Sequence, residues 1–358
     1  MTSTQTVITG WGMYAPSRVL TNADLSKIVD TSDEWIASRT GIRERRIAAD
    51  DETTATLATH AGRDALAVAG LDPSDLDLVI VATASPDYLM PATGVLVARD
   101  LGANRAAGFD LNAACTGFVF GLATGAAFIK SGMYRQVLVV GVDLLSRYLD
   151  WTDRNTCVLF GDGAGAVVLS ASEGPGGLLG WQLFTDGTGA EGIIIPGGGT
   201  AHPISAETLD GRLQFLRMAG KEVYRYATRQ LAESTRAAVA AAGLRMDDVD
   251  LFLYHQANLR ILESVRDLLG ISGDKVYVNL DRYGNTSAAS VPMALAEAVA
   301  GGRVKVGDRL LMGAFGAGYT AGAAVVEWTA DPTRAFLAPG EQTRSGQPRR
   351  EPVAAGSA

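Results

Sequence analysis

Two stretches of the chain share one pattern of apolar and polar positions. AGLDPSDLDLVIVATASP (Ala69–Pro86) and AGLRMDDVDLFLYHQANL (Ala242–Leu259) match at a shift of 173 positions. Each reads as a helix end at Ala-Gly, a polar turn, and a continuous apolar run, the pattern of a strand buried on both faces. A second pair, Val137–Gly141 (VLVVG) and Arg309–Gly313 (RLLMG), follows at a shift of 172. GAVVL (Gly165–Leu169) and AAVVEW (Ala323–Trp328) supply a terminal strand to each copy. The same order twice predicts duplicated α/β halves, each a mixed sheet covered by helices. Gly and Pro break the pattern in SEGPGGLLG, which divides a half over 1–175 from one over 176–330.

Three segments stand outside this pattern. Pro196-Gly-Gly-Gly199 lies in an insertion running to about Arg217, and insertions of that length serve as functional loops or lids. From residue 331 to 358 the chain has four prolines and almost no apolar periodicity, which predicts a disordered tail. Between Leu111 and Ile129 no residue is charged, and Gly117, Gly121 and Gly125 recur every fourth position. That composition imitates a membrane helix with a dimerising face. Asn112, Thr116 and Thr124 interrupt it, Asp110 precedes it, and no second such span exists. A helix apolar all round at the centre of a large protein is the expectation instead, with no membrane partner.

Composition narrows the classes. A length of 358 residues exceeds a usual single core, and 47% apolar with 20% charged residues is ordinary for a soluble protein. MTSTQTVITGWGMY does not read as a secretion signal. Two cysteines are too few for a disulfide framework and favour a reducing compartment, hence a cytoplasmic location. A net charge of −8 argues against broad nucleic-acid binding and leaves an acidic partner only local basic patches.

Candidate chemistry lies at strand ends. Cys115, in FDLNAACTGF, falls where a strand over 106–111 turns into the uncharged helix. Unpaired N–H groups and the helix dipole favour a thiolate there, and backbone N–H groups suit an oxyanion. A buried structural cysteine is the alternative. His255 ends a strand over 250–254 at the position the repeat equates with Ala82, and begins a helix that Gly270 stops. A packed, hydrogen-bonded histidine competes with that reading. Asn285, in LDRYGNTSAAS, lies in another strand-to-helix turn where Gly284 permits the bend, and there a helix cap is the plain use of Asn.

Other motifs carry less. Gly161-Asp-Gly-Ala-Gly165 and Gly316-Ala-Gly318 are neither phosphate loops nor dinucleotide fingerprints, and Cys157 reads as a core thiol. Thr31–Glu34 reads as a capping box that places Trp35 and Arg39 on one helical face. The pair suits a base ring and a phosphate, or a packed amphipathic helix. Lys221, Arg225 and Arg229 form a basic stripe, and Arg260 and Arg266 add charge after His255. Such a stripe is a solvated face or a landing site for an acidic carrier. No His, Cys and Asp cluster has metal-ligand spacing, so no metal or other cofactor is expected.

Taken together, ACTGF, HQANLRI, YGNTSAAS, TSDEWIASRTGIRERR and LFGDGAGAVVL resemble the β-ketoacyl-acyl carrier protein synthase III family, from about Val7 to Trp328. The resemblance implies the thiolase fold, a duplicated five-layer αβαβα arrangement with two mixed sheets around central buried helices, in a homodimer. It implies a triad at Cys115, His255 and Asn285, an oxyanion hole from the N–H groups of Cys115 and Ala317, and Phe315 beside them. The coenzyme A tunnel would involve Thr31, Trp35, Arg39, Arg154, Gly220 and Asn258. Met90 resembles the residue that crosses the dimer interface to close the acyl pocket. Some members carry a Lys pair for carrier docking where this chain has Asp267 and Leu268, and Arg225, Arg260 and Arg266 are the compensating candidates.

The implied reaction is a ping-pong condensation of an acyl-CoA primer, through acyl-Cys115, with malonyl-acyl carrier protein, initiating fatty acid synthesis. Thiolases use a second cysteine in the C-terminal turn, which here reads GAFGAGYT, and elongating synthases use two histidines, where here the second position is Asn285. Two alternatives stay open: an acyltransferase or ketosynthase of secondary metabolism with another acceptor, and a non-catalytic partner subunit.

Overall fold

The computed structural model describes residues 4–334. β1 (Gln5–Tyr14), β2 (Leu78–Ala82), β3 (Ala107–Leu111), β4 (Gln136–Asp143) and β5 (Gly163–Ser172) form one sheet in the order β1-β5-β4-β2-β3. β2 runs parallel to β3 and β4, and β5 runs antiparallel to β1 and β4. β6 (Gly177–Thr185), β7 (Leu251–Tyr254), β8 (Arg309–Gly316) and β9 (Thr320–Glu327) form the second, in the order β7-β8-β9-β6. β7 is parallel to β8 and the other pairs are antiparallel. The repeated segments thus hold equivalent places: β2 matches β7, β4 matches β8, and β5 matches β9. Where the first sheet has β3, the second has a single bridge from Phe252 to Val276.

Seven helices cover these sheets: α1 (Asp33–Thr40), α2 (Thr54–Ala69), α3 (Thr93–Leu101), α4 (Gly117–Lys130), α5 (Gly220–Ala241), α6 (Leu259–Leu269) and α7 (Ser290–Ala300). The strand period of two assigns the layers. On β4, Val137 and Val139 pack with Phe118 and Leu122 of α4 and Leu295 of α7, whereas Leu138 and Val140 pack with Leu57 and Ala61 of α2. On β8, Leu310 and Met312 face that central core, whereas Leu311 and Phe315 face Leu231 of α5 and Ile261 of α6. The result is the five-layer αβαβα thiolase fold.

Burial between two sheets explains why α4 is apolar all round. Its glycine stripe lies on the first sheet. A Cβ on Gly117, Gly121 or Gly125 would come within 3.0 Å of Ala82 Cβ, 2.8 Å of Val139 Cγ1 and 2.8 Å of Leu169 Cδ1 respectively. Among the described residues no helix is long and apolar enough to cross a membrane.

Four local expectations are corrected. Asn285 lies in a turn that follows a short helix over Leu280–Tyr283, not a strand, because Gly284 ends that helix. The cap of α1 is Ser32, whose side chain accepts from Trp35 N, and Thr31 Oγ1 is buried without a hydrogen-bond partner. α6 begins at Leu259 behind an Asn258 cap, so His255 sits in a non-helical turn rather than on the helix. Of the expected tail, Asp331–Arg334 are placed, with Asp331 accepting from Thr333 N at 3.0 Å and Arg334 donating to the Val68 carbonyl at 3.3 Å. The remainder lies outside the described residues.

Candidate active site

Cys115, His255 and Asn285 line one cavity of about 390 Å³ between the halves. Cys115 follows β3 in a single turn, Ala114–Thr116, entered through Ala114 at φ 47°. That angle is strained for a residue with a Cβ, and it aims the next side chain off the strand's line. Thr116 Oγ1 meets Thr320 Oγ1 of β9 at 2.5 Å, tying this turn to the opposite half. His255 follows β7; its N–H donates to Gly313 of β8 at 2.8 Å, its Nδ1 lies 2.6 Å from Ser290 Oγ, and Phe315 packs against its ring at 5.4 Å. Asn285 is held by its N–H to Leu159 at 2.8 Å, and its Oδ1 accepts from Ser287 N at 2.9 Å. Ser287, at φ 51°, also directs its hydroxyl to Cys115 Sγ at 3.3 Å.

Burial dominates the electrostatics. Desolvation, with a smaller push from Asp143, drives the Cys115 thiol up to about 12. The Ser287 hydroxyl and the N–H groups of Cys115 and Ala317 oppose this without overcoming it. The thiolate bias expected of a helix start is therefore outweighed. Desolvation also pushes His255 down to about 3. In both cases burial favours the uncharged form of the group.

Much of the remaining cavity wall is apolar, including Leu145, Phe160, Ile193, Ile195, Leu216 and Met218, with Asn112, Tyr224, Asn258 and Ser287 as further polar lining. A largely apolar chamber with a sulfur and a few polar side chains suits an acyl thioester. The family description "3-oxoacyl-[acyl-carrier-protein (ACP)] synthase III" matches residues 109–187, and its C-terminal counterpart matches 239–328. A β-ketoacyl-[acyl-carrier-protein] synthase III of Desulfitobacterium hafniense is 53% identical over 322 residues, covering 90% of this chain and 97% of the relative. The chain belongs to the β-ketoacyl-acyl carrier protein synthase III family. As a family member it is a condensing enzyme, a transferase of the acyltransferase type in fatty acid biosynthesis.

Solved structures agree. The 3-oxoacyl-[acyl-carrier-protein] synthase III of Aquifex aeolicus superposes with a TM-score of 0.83 at 45% identity, covering 91% of this chain and 100% of that one. A priming β-ketosynthase from a polyketide biosynthetic pathway gives 0.85 at 38% identity, covering 92% and 97%.

The other residues expected for a synthase of this family fall in three places. Ala317, Phe315, Gly220 and Asn258 line the cavity with the three central residues. Trp35, Arg39 and Arg154 cluster beside it, with the Arg39 and Arg154 guanidinium carbons 4.6 Å and 5.3 Å from the Trp35 ring centroid. Asn258 joins the two sets by donating to the Arg39 carbonyl at 3.1 Å. Met90 does not line the cavity within one chain; it is 84% exposed. Of the basic residues, Arg225 is exposed on α5, Arg260 donates to the Ser38 carbonyl at 2.7 Å, and Arg266 pairs with Asp267 at 2.8 Å.

Sequence reasoning missed Ser287, Ser290 and Asp143. The two serines stand in the quoted run NTSAAS, where no role is assigned to them. Asp143 closes the apolar strand VLVVGVD, and a charge at the end of such a run was the available signal. It is fully buried and accepts from Ala84 N at 2.8 Å, Ser85 Oγ at 2.9 Å and Ala288 N at 3.2 Å. Arg236 donates to the Leu268 carbonyl at 2.8 Å, which places a cation beside Asp267 and Leu268.

Proposed function

We propose that Cys115, His255 and Asn285 carry the synthase reaction in two half-reactions, on acyl-CoA and then malonyl-acyl carrier protein. The observation that carries this is their convergence from three distant segments on one apolar chamber. Cys115 attacks the primer thioester; its carbonyl oxygen becomes an oxyanion facing the N–H groups of Cys115 and Ala317, and coenzyme A leaves as the thiol. Malonyl-carrier follows. With Oδ1 held by Ser287, the Asn285 amide nitrogen is left to donate to the malonyl thioester oxygen together with His255 Nε2. These two neutral donors stabilise the enolate as CO2 departs, and its carbon attacks the carbonyl of acyl-Cys115. The acyl C–S bond breaks, the Cys115 thiolate leaves and takes up a proton from solvent, and the 3-oxoacyl product is released on the carrier. The scheme requires no metal or other cofactor, since the negative charge rests on one hydrogen-bonded oxygen.

Trp35, with Arg39 and Arg154, offers an aromatic face and cations for the nucleotide of coenzyme A, and Thr31, Gly220 and Asn258 border its path. Arg225, Arg260 and Arg266 form the carrier-docking side. A homodimer fits the edge strand β3, next to the exposed Tyr88, Leu89 and Met90, because an open edge with apolar neighbours calls for a cover. Met90 of one copy would then close the acyl chamber of the other. Two free buried thiols fit the reducing cytoplasm.

The test is intact-mass analysis after mixing with acyl-CoA, followed by malonyl-carrier. Wild type gains an acyl group on Cys115 and then releases CO2. Cys115→Ser forms no thioester adduct and His255→Ala acylates without decarboxylating. Full turnover by Cys115→Ser would end the proposal.

A further inference from the structure

We infer that Ser290 is a positioning residue that decides which nitrogen of His255 carries the proton, presenting Nε2–H to the chamber. Ser290 is the first residue of α7 and is 2% exposed. Its Oγ has two neighbours, His255 Nδ1 at 2.6 Å and the Gln256 backbone nitrogen at 3.3 Å. A backbone N–H can only donate, so the serine oxygen accepts from Gln256 and must place its own proton elsewhere. Among the described residues, Nδ1 is the acceptor that meets it. An Nδ1 that accepts is unprotonated, and a neutral imidazole then carries its hydrogen on Nε2. Burial supports the neutral ring by holding its pKa far below the usual range.

The frame around this contact is rigid. Gln256 is fully buried; its Nε2 donates to the Tyr254 carbonyl at 2.8 Å and the Tyr277 carbonyl at 3.1 Å, and its Oε1 accepts from Asn279 N at 3.0 Å. The His255 N–H is fixed on Gly313 at 2.8 Å. The peptide between His255 and Gln256 therefore cannot rotate its N–H away, and the serine proton has one direction left. Without the hydroxyl, Nδ1 is free to take the proton. The ring then offers a lone pair, not a donor, to the malonyl oxygen. The chemical consequence rests on the donor role proposed for His255, but the proton's location does not.

The experiment is a two-bond 15N–1H correlation spectrum of the full-length protein labelled on its three histidines, with His255 assigned through His255→Ala. Near neutral pH the wild-type ring should show a single neutral tautomer protonated on Nε2. Ser290→Ala should move the proton wholly or partly to Nδ1. Malonyl decarboxylation should fall by about 10- to 100-fold, with acylation of Cys115 falling far less. Ser290→Thr, which keeps the hydroxyl, should restore the wild-type tautomer and most of the decarboxylation. A wild-type ring protonated on Nδ1 would overturn the inference, as would Ser290→Ala keeping a pure Nε2–H ring. If the tautomer shifts as expected while His255→Ala still decarboxylates, the Ser290 assignment stands and the proposed role of His255 fails.

Discussion

The hydroxyl of Ser287 meets the sulfur of Cys115 at 3.3 Å, while the N–H of the same residue holds Asn285 Oδ1 at 2.9 Å. One residue thus touches both the group proposed to accept the primer and a group proposed to stabilise the enolate. Its positive φ makes this possible, by turning side chain and backbone toward the same chamber. The two contacts separate by mutation. Ser287→Ala removes the hydroxyl and keeps the N–H, so acylation should slow by roughly 5- to 10-fold, the value of about one hydrogen bond. Decarboxylation by the pre-acylated enzyme should change less. Rapid-mixing measurement of coenzyme A release checks this; a larger loss in decarboxylation than in acylation would contradict it.

The pH profile follows from two displaced groups. Burial holds the Cys115 thiol near 12 and the His255 imidazolium near 3. A raised thiol pKa makes the reactive thiolate scarcer at neutral pH, and its fraction grows with each unit of pH. The acylation rate constant should therefore climb roughly tenfold per unit from about pH 6 to about pH 9. The imidazole stays neutral across that range, so decarboxylation by the acylated enzyme should show no histidine inflection near pH 6.5. Single-turnover rates across the range decide the matter. A plateau of acylation above about pH 7 would mean that a thiolate–imidazolium pair forms.

These two groups also show where the sequence was legible. Cys115 and His255 could each be picked out because a strand ends beside them, and the matched segments placed β2 and β7 in equivalent positions of two sheets. Asn285 stood out by the turn at Gly284, which follows a short helix over Leu280–Tyr283 and not a strand. The layering was readable for the same reason, since a buried strand needs apolar residues on both faces and α4 needs them all round. The desolvation of Cys115 could not be read, because groups that lie against it, Ser287 and Gly316 among them, come from segments far along the chain. Ser287 and Ser290 escaped for another reason. A small hydroxyl at the start of a helix looks the same in sequence whether it caps the helix or faces a buried polar group, and only tertiary contacts separate the two. The start of α1 was missed by one residue because Thr31 and Ser32 offer equivalent capping oxygens, and the chain uses Ser32.

Gly316 should be intolerant of a side chain. It ends β8 directly before Ala317, and a Cβ added there would stand 2.9 Å from Cys115 N and 3.2 Å from Cys115 Cβ. The first contact is backbone, so relief requires moving the Cys115 turn away from Ala317. Gly316→Ala should then spread the N–H groups of Cys115 and Ala317, the pair proposed to face the oxyanion. Acylation should drop by about 100-fold, the usual cost of a misplacement near 1 Å. Overpacking itself should cost about 1–3 kcal/mol, leaving the protein folded. Coenzyme A release and a thermal melt, taken together, check both effects; a normal acylation rate would show that the turn is more compliant than its contacts suggest.

On the role proposed for it, Trp35 separates recognition of the nucleotide from chemistry on the thioester. Its ring is half-buried beside the cavity mouth, flanked by two guanidiniums, and it touches none of the three central residues. Trp35→Ala removes the aromatic face and the partner that orients Arg39 and Arg154. Stacking and cation–π contacts of this kind are each worth about 1 kcal/mol. The KM for acyl-CoA should therefore rise by about 10-fold with kcat nearly unchanged. An acyl-pantetheine thioester, which lacks the nucleotide, makes no use of that face. Its kcat/KM should be the same in wild type and variant, because the sulfur, the two facing N–H groups and the apolar chamber are untouched. Steady-state kinetics with both primers decides the point: an equal loss on the short thioester would place Trp35 in the support of the chamber itself.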